Sequence, residues 1–120
     1  MSQWKPPELR PRQQLDTMLE YVRKNGYGDN QVYVRGLLAA LTWVTGETDE
    51  PPITKTPLGH PVTGMDASSE KGRAYEALHA TADPALWAVT QEKGTQYTLA
   101  VEHTLAWVNG SDDLWAPWEV

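Results

Sequence analysis

Two stretches of this chain echo one another at a fixed offset of 64 residues. Tyr33, Leu41, Trp43, Val44, Gly46 and Asp49 in the first are matched by Tyr97, Leu105, Trp107, Val108, Gly110 and Asp113 in the second, six identities in seventeen positions. In each copy a stripe recurs at helical spacing: Tyr33, Leu37, Ala40, Leu41 and Val44 in one, widened by Leu38, and Tyr97, Val101, Thr104, Leu105 and Val108 in the other. Residues spaced this way share one face of an α-helix, which must be buried. Two residues after the last valine stands a glycine able to take the left-handed conformation that closes a helix, and acids follow it. The pattern predicts helices over about 31–45 and 95–109. They are either equivalent halves of a pseudo-symmetric helical domain or two unrelated helices using the same C-terminal device.

Two further helices follow from the same reasoning. Leu15, Met18, Leu19 and Val22 fall at i, i+3, i+4 and i+7 within residues 13–24, with Gly26 as a stop. Asp66 reads as the N-cap of a helix over about 67–80 whose inward side is Ala74, Tyr75 and Leu78. Asp83 followed by Pro84 is a second start signal, closed by Gly94. The run "ALWAVTQ" between them suits a short helix better than a strand, although short apolar runs are ambiguous.

Prolines mark where helices cannot run. Pro6, Pro7 and Pro11 make residues 1–12 an extended or loose arm, one that could carry Trp4 into a groove. Residues 47–65 hold Pro51, Pro52, Pro57, Pro61, Gly59 and Gly64, so this stretch is a short hairpin, with Ile53 facing Val62 across a turn at 56–59, or a functional excursion. The expected fold is therefore all-α: a small bundle of about four main helices with a Pro-rich central loop or short hairpin. The arm is residues 1–12, and residues 13–120 form a single helical domain.

Charge and cysteine content narrow the function. Five basic and three acidic side chains give residues 1–24 a net +2, while residues 25–66 carry −3 and residues 67–120 carry −5, for −6 in all. An acidic body argues against nucleic acid as a partner, because binding needs clustered Lys and Arg to displace counterions. The same −6 is too sparse for a protein that imitates DNA. With no cysteine, thiolate metal sites, disulfides and cysteine nucleophiles are excluded. No apolar run approaches the roughly 18 residues needed to span a bilayer, and residues 1–12 lack the apolar stretch of a secretory signal, so the expectation is a cytoplasmic protein without a membrane partner.

The chemistry-bearing residues do not assemble into a known motif. Glu47, Asp49 and Glu50, like Asp112 and Asp113, lack the spacing of a calcium loop and read as solvated acids. Glu76 and His79 have the Glu-x-x-His spacing of di-iron bundles, which need two such pairs where this chain has one. His103 lies off its helix stripe and is expected to be exposed. Ser68, Ser69 and Ser111 sit in no nucleophile elbow, and "GYGDN" at 26–30 lacks the third glycine and preceding strand of a phosphate loop. No catalytic, cofactor-binding or metal-ligating residue is assigned, and no enzymatic activity is expected.

The six tryptophans carry the most information. Trp43, Trp87 and Trp107 fall where helical aromatics are core or core-edge residues. "DDLWAPWEV", residues 112–120, differs: Leu114, Trp115 and Trp118 around Pro117 either dock onto the helices or form an aromatic partner site flanked by Asp112 and Asp113.

At "YVRGLLAALTWVTGE" and "YTLAVEHTLAWVNGSDD" the chain resembles the small, uncharacterised, tryptophan-rich helical proteins of actinobacteria and their phages. That resemblance implies an accessory protein, many of its kind coming from mobile elements, that acts by binding host or phage proteins. The expected function is a small cytoplasmic interaction protein with Leu114, Trp115, Trp118, Asp112 and Asp113 as its partner-binding surface. The alternative is a self-assembling structural or scaffolding protein in which this end buries against a second copy.

Overall fold

The computed structural model describes residues 7–26, 28–79 and 83–110. Among the described residues there are five helices and no strand: α1 (Arg12–Asn25), α2 (Gln31–Val44), α3 (Gly64–Leu78), α4 (Pro84–Lys93) and α5 (Thr95–Val108). The stretch over 84–93 is the fifth helix, opened by the Asp83 side chain accepting from the Ala85 amide at 2.9 Å. None of the helices is long and apolar enough to cross a membrane.

The helix α5 is central. It packs against α2 on one side and α3 and α4 on the other, while α1 covers α2. The predicted residues of the α1, α2 and α5 stripes are buried, from Leu15, Met18, Leu19 and Val22 to Leu105 and Val108, with Leu38 half-buried against them. Trp43 and Trp107 are buried too, and Trp87 is half-buried.

The echo is structural. The bounds of α2 and α5 differ by the same 64 residues at both ends, and both helices close alike. The Gly46 amide donates to the Trp43 carbonyl at 3.1 Å and that of Gly110 to Trp107 at 2.9 Å, with φ at +85° and +94°. A left-handed residue after the last turn satisfies carbonyls that helix ends otherwise leave open, and glycine does this without a Cβ clash. The helices cross where Gly36 meets Tyr97 and Ala100, and positions 36 and 100 are equivalent at that offset. The elements ahead of the two helices do not repeat: residues 26–30 separate α1 from α2, and Gly94 alone separates α4 from α5.

Two features of α3 correct the sequence reading. The helix begins three residues earlier than Asp66 as N-cap implies. Thr63 is the cap, its hydroxyl accepting from the Asp66 amide while the Asp66 carboxylate accepts from the Thr63 amide at 2.9 Å. This reciprocal pair satisfies two amide donors at once and outcompetes the single cap that Asp66 would make. The buried face is also different: Ala67, Glu70, Ala74 and Ala77 point inward, Leu78 is half-buried, and Tyr75 is exposed. Alanines let α3 lie close against α5, and a tyrosine on that face would hold the helices apart.

The Pro-rich stretch is not a hairpin. Pro51, Pro52 and Ile53 are buried in a turn closed by the Lys55 amide donating to the Pro51 carbonyl, whereas residues 57–61 are exposed. Ile53 faces the core instead of Val62 because α3 and α5 both hold the turn. The arm is not loose over its described part. Leu9 packs against the core, the Arg10 amide donates to the Val108 carbonyl at 2.8 Å, and Asn109 Nδ2 donates to the carbonyls of Glu8 and Gly64 at 3.3 and 3.1 Å. Trp4 lies outside the described residues.

Candidate functional site

The carboxylate of Glu70 is buried in the middle of the α3 alanine stripe. Its Oε2 accepts from the amides of Ile53 at 2.6 Å and Thr54 at 2.9 Å, and its Oε1 from the Thr54 hydroxyl at 2.9 Å. A buried carboxylate is tolerated when its oxygens are hydrogen-bonded in this way. From the other side the Tyr97 hydroxyl donates to the Pro52 carbonyl at 3.0 Å. The turn at 51–54 is thus clamped between α3 and α5. A buried threonine pair, Thr90 Oγ1 to Thr98 Oγ1 at 2.8 Å, with Thr90 also donating to the Ala77 carbonyl, ties α4 to the same two helices.

Burial pushes the Tyr97 phenol up to about 12, with the negative charges of Glu50 and Glu70 adding to the effect. The ordinary value is about 10. A proton held more tightly in the folded state stabilises that state below the unfolded pKa, and the benefit is lost as pH rises through the folded one. Stability should therefore begin to fall above pH 10 and reach its full loss beyond pH 12. Ultraviolet phenolate titration should show a late-titrating component from Tyr97. In Tyr97→Phe that late component should vanish, at a cost of about 1 kcal/mol for the lost bond to Pro52. A titration unchanged by Tyr97→Phe would contradict the clamp.

The clamped turn positions the residues after it. Residues 57–62 stand over the C-terminal end of α2 and the start of α1, enclosing a groove of about 570 Å³. Trp43 forms its base, Pro57, Leu58 and Pro61 its outer wall, and Arg12, Asp49 and His60 its polar rim. The groove continues past Val62 and Gly46 into a recess of about 260 Å³ whose far wall is Leu9 and Arg10. Leu58 is among the most exposed large apolar side chains of the described residues, at 37 %. Arg12 holds Asp16 at 2.9 Å, and the His60 ring lies 3.7 Å from Asp66. At the recess Arg10 lies over the Trp107 ring, 4.5 Å from its centre, and donates to the Trp107 carbonyl. The lining is mixed, with Arg12, Thr45, Thr48, Asp49 and His60 beside the apolar side chains and Trp43 almost wholly buried beneath them, a character that suits a polypeptide segment.

The acids after α2 are engaged within the chain. Arg23 grips Glu47 through both guanidinium nitrogens, one at 3.0 Å. The hydrogen bond from Arg23, reinforced by its charge, holds the Glu47 carboxyl below the usual range and raises the Arg23 guanidinium. Glu50 lies 4.0 Å from Lys55, and Asp49 faces the groove. Glu76 pairs with Arg73 at 3.3 Å, while the His79 ring stacks on Tyr75 and donates to its carbonyl at 2.8 Å. No three His, Asp or Glu side chains converge among the described residues. His103 is not an exposed residue: half-buried, its Nδ1 meets the Tyr33 hydroxyl at 3.0 Å across the α2–α5 contact.

Leu114, Trp115, Trp118, Asp112 and Asp113 lie outside the described residues, as does Ser111. The groove is hidden in the sequence because its walls come from residues 9–12, 43–49 and 57–62. The exposed prolines flanking Leu58 are the available signal. No family model matches this chain, and neither does any curated protein or solved structure.

Proposed function

We propose that the chain is a small interaction protein, accessory or regulatory in kind, that engages a protein partner through an aromatic and acidic surface, Leu114, Trp115 and Trp118 with Asp112 and Asp113, and through the groove beside residues 57–62. The groove carries this reading. It offers a mixed apolar and polar trough whose exposed wall, Pro57, Leu58 and Pro61, includes prolines that are rigid before binding and so lose little entropy on it. The segment after α5 brings two tryptophans, the residue type most enriched at interface hot spots, beside Asp112 and Asp113. The resemblance to actinobacterial and phage proteins supports a cytoplasmic role of this sort and the choice of lysate.

Capture of partners by the tagged full chain from an actinobacterial lysate, read by mass spectrometry, tests the proposal. Trp115→Ala with Trp118→Ala is expected to weaken capture at least about tenfold. Equal capture by the two proteins, with equal stability, would overturn the assignment. Light scattering separates the self-assembling alternative, which requires a mass above 13.4 kDa that grows with concentration.

A further inference from the structure

We propose that the outward face of α3 is a docking surface for a second copy of this chain, the two α3 helices lying antiparallel with Gly72 at their crossing.

The face is defined by the one opposite it. At about 100° per residue, the buried Ala67, Glu70, Ala74 and Ala77 place Met65, Gly72 and His79 along the middle of the outward side. Ser68 and Tyr75 then fall on one flank, and Ser69 and Glu76 on the other. Met65 and Tyr75 are 48 % and 54 % exposed, and of the exposed large apolar side chains among the described residues only Leu58 lies elsewhere. The Tyr75 ring stands fixed against that of His79, 4.1 Å between centres, while His79 Nδ1 donates to the Tyr75 carbonyl.

Gly72 is left unexplained by packing within the chain. Glycine inside a helix costs about 0.5–1 kcal/mol relative to alanine. Gly36 has a use for its missing Cβ where α2 meets α5, but a Cβ at Gly72 would meet nothing within 4 Å. A second helix crossing at Gly72 would use that space.

The shape of the face identifies its occupant. Turning it end for end about Gly72 exchanges positions 65 and 79, 68 and 76, and 69 and 75. The bulky Tyr75 and Glu76 of each copy therefore lie over Ser68 and Ser69 of the other. Met65 of each meets the Tyr75 and His79 ring pair of the other, a contact that thioether sulfur and aromatic rings favour. A surface that is its own complement under a half-turn is what a two-fold contact between identical chains requires. Charge agrees, because two chains of net −6 repel unless they meet where little charge is exposed. The carboxylate of this face, Glu76, lies 3.3 Å from Arg73, so the contact brings no net charge together.

The contact is small. A helix pair about 21 Å long buries less than the ~800 Å² per copy of a standard stable interface, which implies a dissociation constant of about 0.1–1 mM. At low micromolar concentration the copies are apart, and Gly72→Ala then acts on folding alone.

Sedimentation equilibrium and amide spectra of the full chain, from about 10 µM to 1 mM, span that constant and test the proposal. The mass is expected to rise from 13.4 kDa toward twice that value, with concentration-dependent shifts confined to the outward amides from Met65 to Glu76. Tyr75→Glu, a change at a side chain already exposed, should remove both signals. Gly72→Ala should weaken association severalfold while stabilising the separate chain, an opposition of sign that a merely structural role would not produce. The chain contains no cysteine, so Met65→Cys and His79→Cys proteins, mixed in equal amounts and oxidised, report the direction of the pair. The mixed disulfide should exceed either self-paired one.

A mass fixed at 13.4 kDa throughout, association that survives Tyr75→Glu, or an excess of self-paired disulfides would overturn the proposal. So would association lost in the Trp115→Ala, Trp118→Ala protein, which assigns it to the tryptophans, or shifts confined to residues 57–62, which assign it to the groove. Partner capture from lysate uses a different face, so Tyr75→Glu should capture as the wild type does, and failure of either experiment leaves the other intact.

Discussion

Replacing Gly36 with alanine is expected to lower stability by about 3 kcal/mol, although alanine is the better helix former. In an isolated helix the change would gain about 1 kcal/mol, since glycine loses more backbone entropy on folding and adds no side chain to pack. Here the new Cβ would lie 2.3 Å from the Tyr97 carbonyl oxygen and 2.7 Å from the Ala100 Cβ. The first of those atoms is backbone, so α2 and α5 must separate, and the layer around Tyr33, Leu37, Val101 and Leu105 opens with them. The control is Gly72→Ala on the exposed side of α3, where nothing lies within 4 Å and the gain of ~0.5–1 kcal/mol should appear unopposed. Denaturant melts of both variants give opposite signs if the crossing is as described. A Gly36→Ala protein as stable as the wild type would mean that the two helices do not meet there.

The helices whose buried face contrasts with the rest are legible in the sequence. In α1, α2 and α5, large apolar side chains recur at helical spacing, and tertiary packing uses the face that the pattern names. In α3 the contrast fails. Its inner face is three alanines and a glutamate, and its largest apolar side chain, Tyr75, points outward. Alanine carries little hydrophobic signal, and a helix carboxylate ordinarily reads as solvated, so both the face and the role of Glu70 are hidden. The Thr63 and Asp66 capping pair is present in the sequence at the right spacing, but Asp66 alone also satisfies the simpler pattern of a single cap.

The groove is illegible for a different reason. Its walls meet only because the 51–54 turn is fastened by Glu70, 16 and 17 residues away, and by Tyr97, 45 residues from Pro52. Periodicity reports local geometry and carries no trace of such contacts.

Glu70→Ala is the second large effect, expected at about 3 kcal/mol or more. Three hydrogen bonds end on this carboxylate, and the Ile53 amide beneath it is buried, so truncation leaves donors that water cannot easily reach. Each unsatisfied buried donor costs about 1–3 kcal/mol, and the cavity left by the side chain adds to that. Glu70→Gln should be milder, about 1 kcal/mol, because the amide oxygen still accepts from the Ile53 and Thr54 amides and the NH₂ can donate to the Thr54 hydroxyl, so that the loss is mainly the stronger acceptance of a charged carboxylate. Hydrogen exchange at the Ile53 and Thr54 amides localises the damage: both should exchange much faster in Glu70→Ala than amides in α1, which is remote from the clamp. The effect should extend to the groove, since the wall from Pro57 to Val62 is anchored through this turn. Glu70→Gln, still folded, should therefore broaden or shift the Leu58, Gly59 and Val62 resonances. If Glu70→Ala cost under 1 kcal/mol, or left the 57–62 resonances in place, the turn would be held by its prolines and Tyr97 alone, and the carboxylate would not be what shapes the groove.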